Sequence, residues 1–175
     1  MINGLTLFSK KMIHDNRGKS CKFAAKKMGN IDIDELYLSY SKKNVIRGIH
    51  FQDEPYAQRK TVSVISGRIT DVIIDLRPDS STFLSIDVFD ISEESDFLIL
   101  IPKGCGHGFL ALAEENIVLY GIEGQYKKES DSGILWSSID YDWGIEKPIL
   151  SNRDQGFITL EKYLLERNYK HERNL

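Results

Sequence analysis

The sequence is poor in three features that mark particular classes of protein: basic residues in excess, long apolar runs, and cysteine. Among its 175 residues, 23 lysines and arginines face 26 aspartates and glutamates, giving a net charge of −3 with the four histidines neutral. This balance gives no indication of nucleic-acid binding. No apolar run approaches the roughly 20 residues that cross a bilayer, and the first residues lack the apolar segment of a secretory signal. We therefore expect a cytoplasmic protein that binds neither membrane nor nucleic acid.

The two cysteines, Cys21 and Cys105, are too few for a disulfide framework and do not have the spacing of metal ligands. Two free thiols in a reducing cytoplasm are the simpler interpretation. The acidic balance still allows a small anionic ligand, because a few local arginines or lysines are enough to bind a pyrophosphate.

Short segments rich in Val, Ile, Leu, Tyr and Phe recur along the chain between turn signals, which predicts a mostly β protein. The predicted strands are Glu35–Ser41, Thr61–Ser66, Ile69–Leu76, Ser85–Phe89, Phe97–Ile101, Gly108–Leu112 and Ile117–Gly121. Helical periodicity is clear only in Ile158–Arg167. Without a linker or repeat, residues 1–175 are predicted to be one domain: an all-β jelly-roll barrel or sandwich with a short C-terminal helix. Such a barrel can enclose a ligand.

Two stretches carry residues suited to proton transfer and charge stabilisation. In NVIRGIHFQ, His50 is a candidate general base because an imidazole titrates near neutral pH; a structural hydrogen-bonding role is the alternative. In AQRKTVSVISGRITDVIIDLR, an inward Lys60 could stabilise negative charge on a substrate oxygen, or could be an ordinary solvated lysine. Asp71 and Asp75 share one face of their strand, and a buried Asp71 would need a partner.

Two further stretches add a histidine and two tyrosines. In LILIPKGCGHGFLAL, a glycine-rich turn delivers His107 to the following strand, where a structural role and a ligand contact are both open. In IVLYGIEGQY, Tyr120 or Tyr126 could protonate a carbanion, although a phenol with a pKa near 10 is a weak acid unless the site assists it. A core tyrosine with a satisfied hydroxyl is the alternative.

The order of these motifs resembles the dTDP-4-dehydrorhamnose 3,5-epimerase family, sugar-nucleotide epimerases of the cupin fold. The resemblance runs from about Asp15 to Asp154 and rests on DNRG, NVIRGIHFQ, AQRK, GRITDVIIDLRPDSSTF, IPKGCGHGF, IVLY, SGILW and LSNRD. It implies an isomerase that inverts C3, C5 or both in a nucleotide-linked 4-keto-6-deoxy hexose or heptose. It also implies a homodimer with N-terminal segments crossing between subunits, and a role in deoxy-sugar supply for polysaccharide.

The resemblance also implies roles for particular residues. His50 would be the general base, Asp154 its hydrogen-bonded carboxylate, and Tyr120 the acid on the opposite face of the sugar ring. Lys60 would lie near the oxygen that gathers enolate charge. The remaining candidates for substrate or nucleotide binding are Arg17, Arg47, Gln52, Asp71, His107 and Tyr126. No cofactor is needed, since the ketone is already present in the substrate, and no metal site is expected.

Two segments depart from the family pattern. KSCKF follows DNRG where the family has aromatic residues and a glutamate, and Glu35–Ser39 reads ELYLS where the family tends to have Q-x-N-x-S. Both segments line the pocket in the family. We therefore expect that the nucleotide could be GDP as well as dTDP, and the sequence leaves open which carbon is inverted.

Three rival functions remain at this point. A metal-dependent cupin would need two histidines one residue apart and a following glutamate, and Gln52 breaks that pattern. A 3,4-ketoisomerase of the same fold would move the ketone instead of inverting a centre. A sugar-binding cupin without activity would not need His50, Asp154 and Tyr120 together.

Overall fold

The structure is a computed structural model that describes residues 1–23 and 31–167. Its strands are β1 Thr6–Ser9, β2 Lys11–Asp15, β3 Gly18–Lys22, β4 Glu35–Lys42, β5 Ile46–Gln52, β6 Arg59–Ser66, β7 Arg68–Asp75, β8 Ile86–Ser92, β9 Phe97–Ile101, β10 Cys105–Ala111, β11 Glu115–Glu123 and β12 Asp131–Gly133. A 3₁₀ turn covers Trp136–Ser138, and the helices are α1 Asn152–Gln155 and α2 Leu160–Glu166. No helix in the described ranges could span a membrane.

Ten of the strands form two five-stranded antiparallel sheets that face each other as a jelly roll. One sheet has the order β1-β9-β6-β11-β4, and the other has the order β12-β5-β10-β7-β8. The remaining strands, β2 and β3, pair only with each other as a hairpin. The prediction of an all-β jelly roll with a short C-terminal helix is confirmed, with α2 inside the predicted helical segment.

The space between the sheets is filled by one face of each strand. In β7, Ile69 and Ile73 enter this core, whereas Val72 and Ile74 point to the opposite side of the sheet. This follows from the two-residue period of a strand. Asp71 and Asp75 therefore face inward, as predicted, and both are fully buried.

A second core lies on the outer side of the β5-containing sheet. Ile46, Ile49 and Val72 pack there against side chains from the last third of the chain, including Trp143 and Tyr163. The cluster covers a sheet face that would otherwise expose apolar side chains, which is the usual reason for such a layer. It also brings the α1 region, with Asp154, against β5.

Candidate active site

His50 and His107 are neighbours across the β5–β10 pair, where they lie opposite each other in register. The strands approach closely because Gly48 and Gly108 have no side chains. A Cβ on Gly48 would lie 2.6 Å from both Gly108 Cα and the His107 carbonyl oxygen, and Gly48 has a φ of +116°. A glycine is therefore required at position 48 for this alignment of the two histidines.

His50 forms a hydrogen-bonded dyad with Asp154. Its Nε2 lies 2.8 Å from Asp154 Oδ1, while Asp154 Oδ2 accepts the backbone N–H of Gly48 at 3.2 Å. Asp154 sits in the first turn of α1, whose N-cap Ser151 accepts the Asp154 N–H at 3.0 Å. The carboxylate is thus fixed from both the helix and β5. The structure thus brings His50 and Asp154 into the contact that the resemblance implies, and their roles in catalysis stay a prediction.

The protonation states in this dyad suit a general base. Burial lowers the pKa of His50, and the Asp154 carboxylate only partly opposes the shift, so the imidazole is neutral at neutral pH. Burial alone would raise the pKa of Asp154, but its hydrogen bonds to His50, Gly48 and Ser151 bring it below the ordinary value. A neutral imidazole must donate through Nε2 to an ionised carboxylate. Nδ1 therefore keeps the lone pair.

Tyr120 lies in β11 with its ring held between two others. Tyr37, directly opposite in β4, stacks on it with ring centroids 4.8 Å apart and planes 15° apart, and His107 meets it edge-on at 5.8 Å. Burial raises the pKa of Tyr120 well above its ordinary value, with Tyr37 and Asp71 adding to the rise. The phenol therefore keeps its proton and can act as a donor.

His107 is anchored by Asp71 from the neighbouring strand β7. His107 Nε2 lies 2.6 Å from Asp71 Oδ1, and both side chains are buried. The prediction that a buried Asp71 needs a partner is confirmed. Its other oxygen, Oδ2, has no hydrogen-bond partner among the described residues, and neither does the buried hydroxyl of Ser39. Ser39 lines a cavity beside His50, where a bound molecule can complete its hydrogen bonding, whereas Asp71 does not line that cavity.

Lys60 extends from β6 towards β5, where its Nζ donates to the His50 carbonyl oxygen at 3.3 Å. Burial lowers the pKa of Lys60 to about 8, partly opposed by Asp131. The ammonium form still predominates at pH 7. It supplies a positive charge beside His50 in surroundings where water screens it weakly.

Two cavities meet at these side chains. The small chamber, of about 150 Å³, is lined by Tyr37, Ser39, Arg47, His50, Lys60, His107 and Tyr120. The large chamber, of about 350 Å³, is lined by Glu35, Tyr37, His50, Phe51, Gln52, Gln58, Lys60, Ile122, Tyr126, Asp131 and Arg153. Tyr37, His50 and Lys60 border both. The base and the phenol therefore face one small chamber that opens beside a larger one.

The other predicted binding residues have different surroundings. Arg47 lines the small chamber and is held by Ser41 Oγ and the Tyr40 carbonyl oxygen, each at 2.8 Å. Tyr126 lines the large chamber and donates to Asp131 at 3.2 Å.

Gln52 and Arg17 are placed less directly for binding. The Gln52 amide is used inside the protein: its nitrogen donates to the carbonyls of Tyr56 and Gln125, and its oxygen accepts the Lys127 N–H at 2.6 Å. It therefore shapes the chamber wall. Arg17 lies in the β2–β3 hairpin, pairs with Asp15 at 2.6 Å and lines neither chamber.

Several residues at the site were not singled out by sequence reasoning, among them Glu35, Tyr37, Asp131, Arg153 and Phe157. Arg153 bridges to Asp131 at 2.7 Å, and both line the large chamber. Phe157 meets the His50 ring edge-on at 5.6 Å, above Gly133. The sequence could have pointed to Tyr37, because the two-residue period of β4 places it on the same strand face as Glu35 and Ser39.

A third cavity, of about 480 Å³, lies elsewhere and contains none of the predicted catalytic residues. Among its charged residues, Arg167 pairs with Asp53, and Arg77 pairs with Asp75 beside the cavity. Over the described ranges, no three His, Cys, Asp or Glu side chains come together in an arrangement that could hold a metal ion.

Comparison with known proteins agrees with this fold. The family model for dTDP-4-dehydrorhamnose 3,5-epimerase matches residues 1–162. The dTDP-4-dehydrorhamnose 3,5-epimerase of Shigella flexneri is 38% identical over 131 residues, which is 72% of either chain.

Solved structures are similar over a larger share of the chain. A Bacillus anthracis dTDP-4-dehydrorhamnose 3,5-epimerase, with TDP and PPi bound, superposes with a TM-score of 0.86 at 34% identity, covering 90% of this chain and 94% of that one. A Legionella pneumophila dTDP-6-deoxy-D-glucose-3,5-epimerase in complex with dTDP-4-keto-L-rhamnose has a TM-score of 0.85 at 30% identity, covering 91% and 89%.

The fold and the site thus define a cupin-type carbohydrate epimerase, as the sequence predicted. The chain belongs to the dTDP-4-dehydrorhamnose 3,5-epimerase family.

Proposed function

We propose that this protein inverts C3, C5 or both in a nucleoside diphosphate-linked 4-keto-6-deoxy sugar. The observation that carries the proposal is the small chamber, which is bordered by a neutral imidazole backed by a carboxylate and by a protonated phenol. Inversion beside a ketone needs a base on one face of the ring and an acid on the other. Membership of the epimerase family supports the same reaction.

In the first step, His50 Nδ1 takes the proton from the carbon next to the C4 ketone. The electron pair of the broken C–H bond moves into the ring, and the ketone oxygen becomes an enolate oxygen. Asp154 stabilises the imidazolium that forms, since it accepts the Nε2–H at 2.8 Å. General-base catalysis of this kind contributes about 10²–10⁴ in rate, which corresponds to roughly 3–5 kcal/mol.

The enolate needs a positive charge, and Lys60 is the lysine that borders both chambers beside His50. Its ammonium would stabilise the oxygen as charge develops. In the second step, the enolate electron pair returns to the carbon, which takes the phenolic proton of Tyr120 from the opposite face. Solvent then reprotonates the Tyr120 phenolate and takes the proton from the His50 imidazolium. The Tyr120 hydroxyl makes no hydrogen bond within the described ranges, which leaves it available to the sugar.

The large chamber is proposed to hold the diphosphate and nucleoside. Arg153 and Lys60 supply positive charge there, and Arg47 does so at the small chamber. Relatives favour dTDP, since the Bacillus enzyme has TDP bound and the Legionella enzyme is in complex with a dTDP sugar. A GDP-linked substrate remains the alternative because Glu35 and Tyr37, which depart from the family pattern, line the large chamber.

The deciding experiment is ¹H NMR of 4-keto-6-deoxy sugar nucleotides in D₂O with the purified protein. Deuterium should enter at C3, C5 or both with the ketone kept at C4, and His50→Asn should abolish this exchange. A ketone that moves to C3 would instead establish the ketoisomerase. Binding with no exchange in the wild type would establish a non-catalytic sugar-binding protein. Competition between dTDP and GDP for the same site would identify the nucleotide.

A homodimer is also proposed, through the outer face of β4. This strand lies at a sheet edge, and its outward side chains Leu36, Leu38 and Tyr40 are 65%, 44% and 64% exposed. A row of exposed apolar side chains on the outer face of an edge strand indicates a surface that another protein chain covers. Arg17, which lines neither chamber of its own subunit, would then serve the partner's site. Leu36→Asp with Leu38→Asp should convert a dimer to a monomer in light scattering, and a wild-type monomer would refute the proposal.

The compartment is proposed to be the cytoplasm. Cys21 and Cys105 are both free thiols, and unpaired cysteines are typical of reducing compartments.

A further inference from the structure

Tyr37 borders both chambers but takes no part in the proposed proton transfers. It stands on the inward face of β4, in register with Tyr120 on β11. Its neighbours on the chain, Leu36 and Leu38, point outward and are exposed. Directly opposed side chains on antiparallel strands are close enough to interact, so the contact between the two rings is built into the pairing of β4 with β11.

We propose that Tyr37 is a positioning residue that fixes the ring of Tyr120, and thereby decides whether a deprotonated sugar is inverted or simply regains its proton on the original face. This inference rests on the proposed function. It adds to that function a residue that touches the proton donor and controls the outcome of the second step.

Ring contacts, and not hydrogen bonds, hold the donor in place. The Tyr120 hydroxyl has no hydrogen-bond partner within residues 1–23 and 31–167, so the position of its oxygen depends on the packing around its ring. Tyr37 covers one face at a centroid distance of 4.8 Å, and His107 meets the ring edge-on at 5.8 Å. His107 is itself tied to Asp71 at 2.6 Å, which makes it a rigid wall. Tyr37 supports the stacked face of the Tyr120 ring.

Tyr37 is chemically suited to this role because it stays neutral. Although Tyr37 is 42% exposed where it borders the chambers, its partial burial, with a contribution from Glu35, raises the pKa of Tyr37 to about 12, so it carries no charge while His50 and Lys60 work. Its ring also keeps water from one face of Tyr120. It therefore orients the donor without competing as an acid or a base in the neutral pH range.

The two steps of the reaction depend differently on Tyr37. Proton removal by His50 does not involve Tyr120. If the phenol is misplaced, the imidazolium exchanges its proton with solvent and returns a deuteron to the same face, giving labelled but uninverted substrate. Inversion requires the phenol to be in line, and a misplacement of about 1 Å can cost about 10²-fold. The ratio of inversion to exchange therefore reports on Tyr37 specifically.

The test compares Tyr37→Leu with Tyr37→Phe by NMR in D₂O, measuring deuterium entry and inverted product in the same sample. Tyr37→Leu keeps apolar bulk but loses the stack, and we expect its inversion-to-exchange ratio to fall by about 10-fold to 10²-fold with exchange largely kept. Tyr37→Phe keeps the stack and should keep the wild-type ratio. Tyr120→Phe marks the ratio when the donor is absent.

An equal loss of exchange and inversion in Tyr37→Leu, or an unchanged ratio, would overturn the inference. Absence of exchange in the wild type would instead count against the proposed reaction itself. If Tyr37→Leu does not fold, Tyr37→Met carries the same expectation. A low ratio in Tyr37→Phe would assign the effect to the Tyr37 hydroxyl and would also overturn the role of the stacked ring.

Discussion

Replacing Asp154 with asparagine should inactivate His50 by reversing its tautomer, with little change in shape. Asp154 Oδ2 accepts the Gly48 N–H at 3.2 Å, and Oδ1 faces His50 Nε2 at 2.8 Å. An asparagine can satisfy Gly48 only with its oxygen, so its NH₂ group must face the imidazole. Nε2 then has to accept, and the ring proton moves to Nδ1. The nitrogen aimed at the substrate would present a proton where a lone pair is needed.

The expected loss is that of the whole general-base contribution, about 10²–10⁴ in kcat, or roughly 3–5 kcal/mol of barrier. Binding should change little, because Asp154 lines neither chamber. Loss of the carboxylate also removes an interaction that keeps the pKa of His50 from falling further. The imidazole therefore stays neutral in the variant, and the defect lies in the tautomer.

The assay is deuterium wash-in by NMR, combined with ¹⁵N spectra of the labelled histidines to identify the protonated nitrogen. Ser151→Ala is the matched control, since it removes the helix cap beside Asp154 and should cost about 1 kcal/mol of stability while keeping the carboxylate. An Asp154→Asn protein that exchanges at the wild-type rate, or that keeps the proton on Nε2, would refute the reasoning.

Two other predictions concern pH and backbone geometry. Because the pKa of His50 lies below 6.5 and that of Lys60 is about 8, kcat/KM should fall at low pH as His50 gains a proton and again above about pH 8 as Lys60 loses one. Lys60→Gln should lower the plateau and remove the alkaline limb, and a limb that persists in this variant would assign it to another group. Gly48→Ala should destabilise the fold by at least about 2 kcal/mol in urea unfolding, because its φ is +116° and the Cβ would meet backbone at 2.6 Å. Gly144→Ala, with φ +66° and open space around it, is the control and should cost about 1–2 kcal/mol; equal losses in the two variants would contradict the packing argument.

Strands with many apolar or aromatic residues were predictable from the sequence, including the largely exposed β4, whereas β5 was not among the predicted strands although most of its side chains are buried. Phe97–Ile101 was predicted with its observed bounds because every residue in it is apolar. The β2–β3 hairpin was missed, since it packs against neither sheet and GKSCK has no apolar alternation. β12 is only three residues long and pairs with β5 late in the chain. Its position depends on tertiary contacts that no local pattern encodes.

The candidate site residues were predicted from the order of the motifs, and the structure adds the distances between residues that are far apart in the chain. Nothing in RGIHFQ and LSNRD says that residues 104 apart in the chain come within 2.8 Å of each other. That contact arises from packing of the C-terminal segment on the second core. Tyr37 was named only as part of a departure from the family pattern, because its importance depends on the register that sets it opposite Tyr120. The binding role predicted for Gln52 stays a prediction, with its amide engaged by the neighbouring loop.

The layer over the outer sheet has a consequence for how the protein becomes active during synthesis. The twelve strands of the described ranges are complete by Gly133, whereas the carboxylate that sets the His50 tautomer lies 21 positions later on a four-residue helix. A ribosome-bound chain can therefore close its barrel before it possesses a working base. A chain that ends before Asp154 would lack the partner of His50 and much of the layer that covers the β5-containing sheet, so we expect it to be inactive and less stable than the full chain.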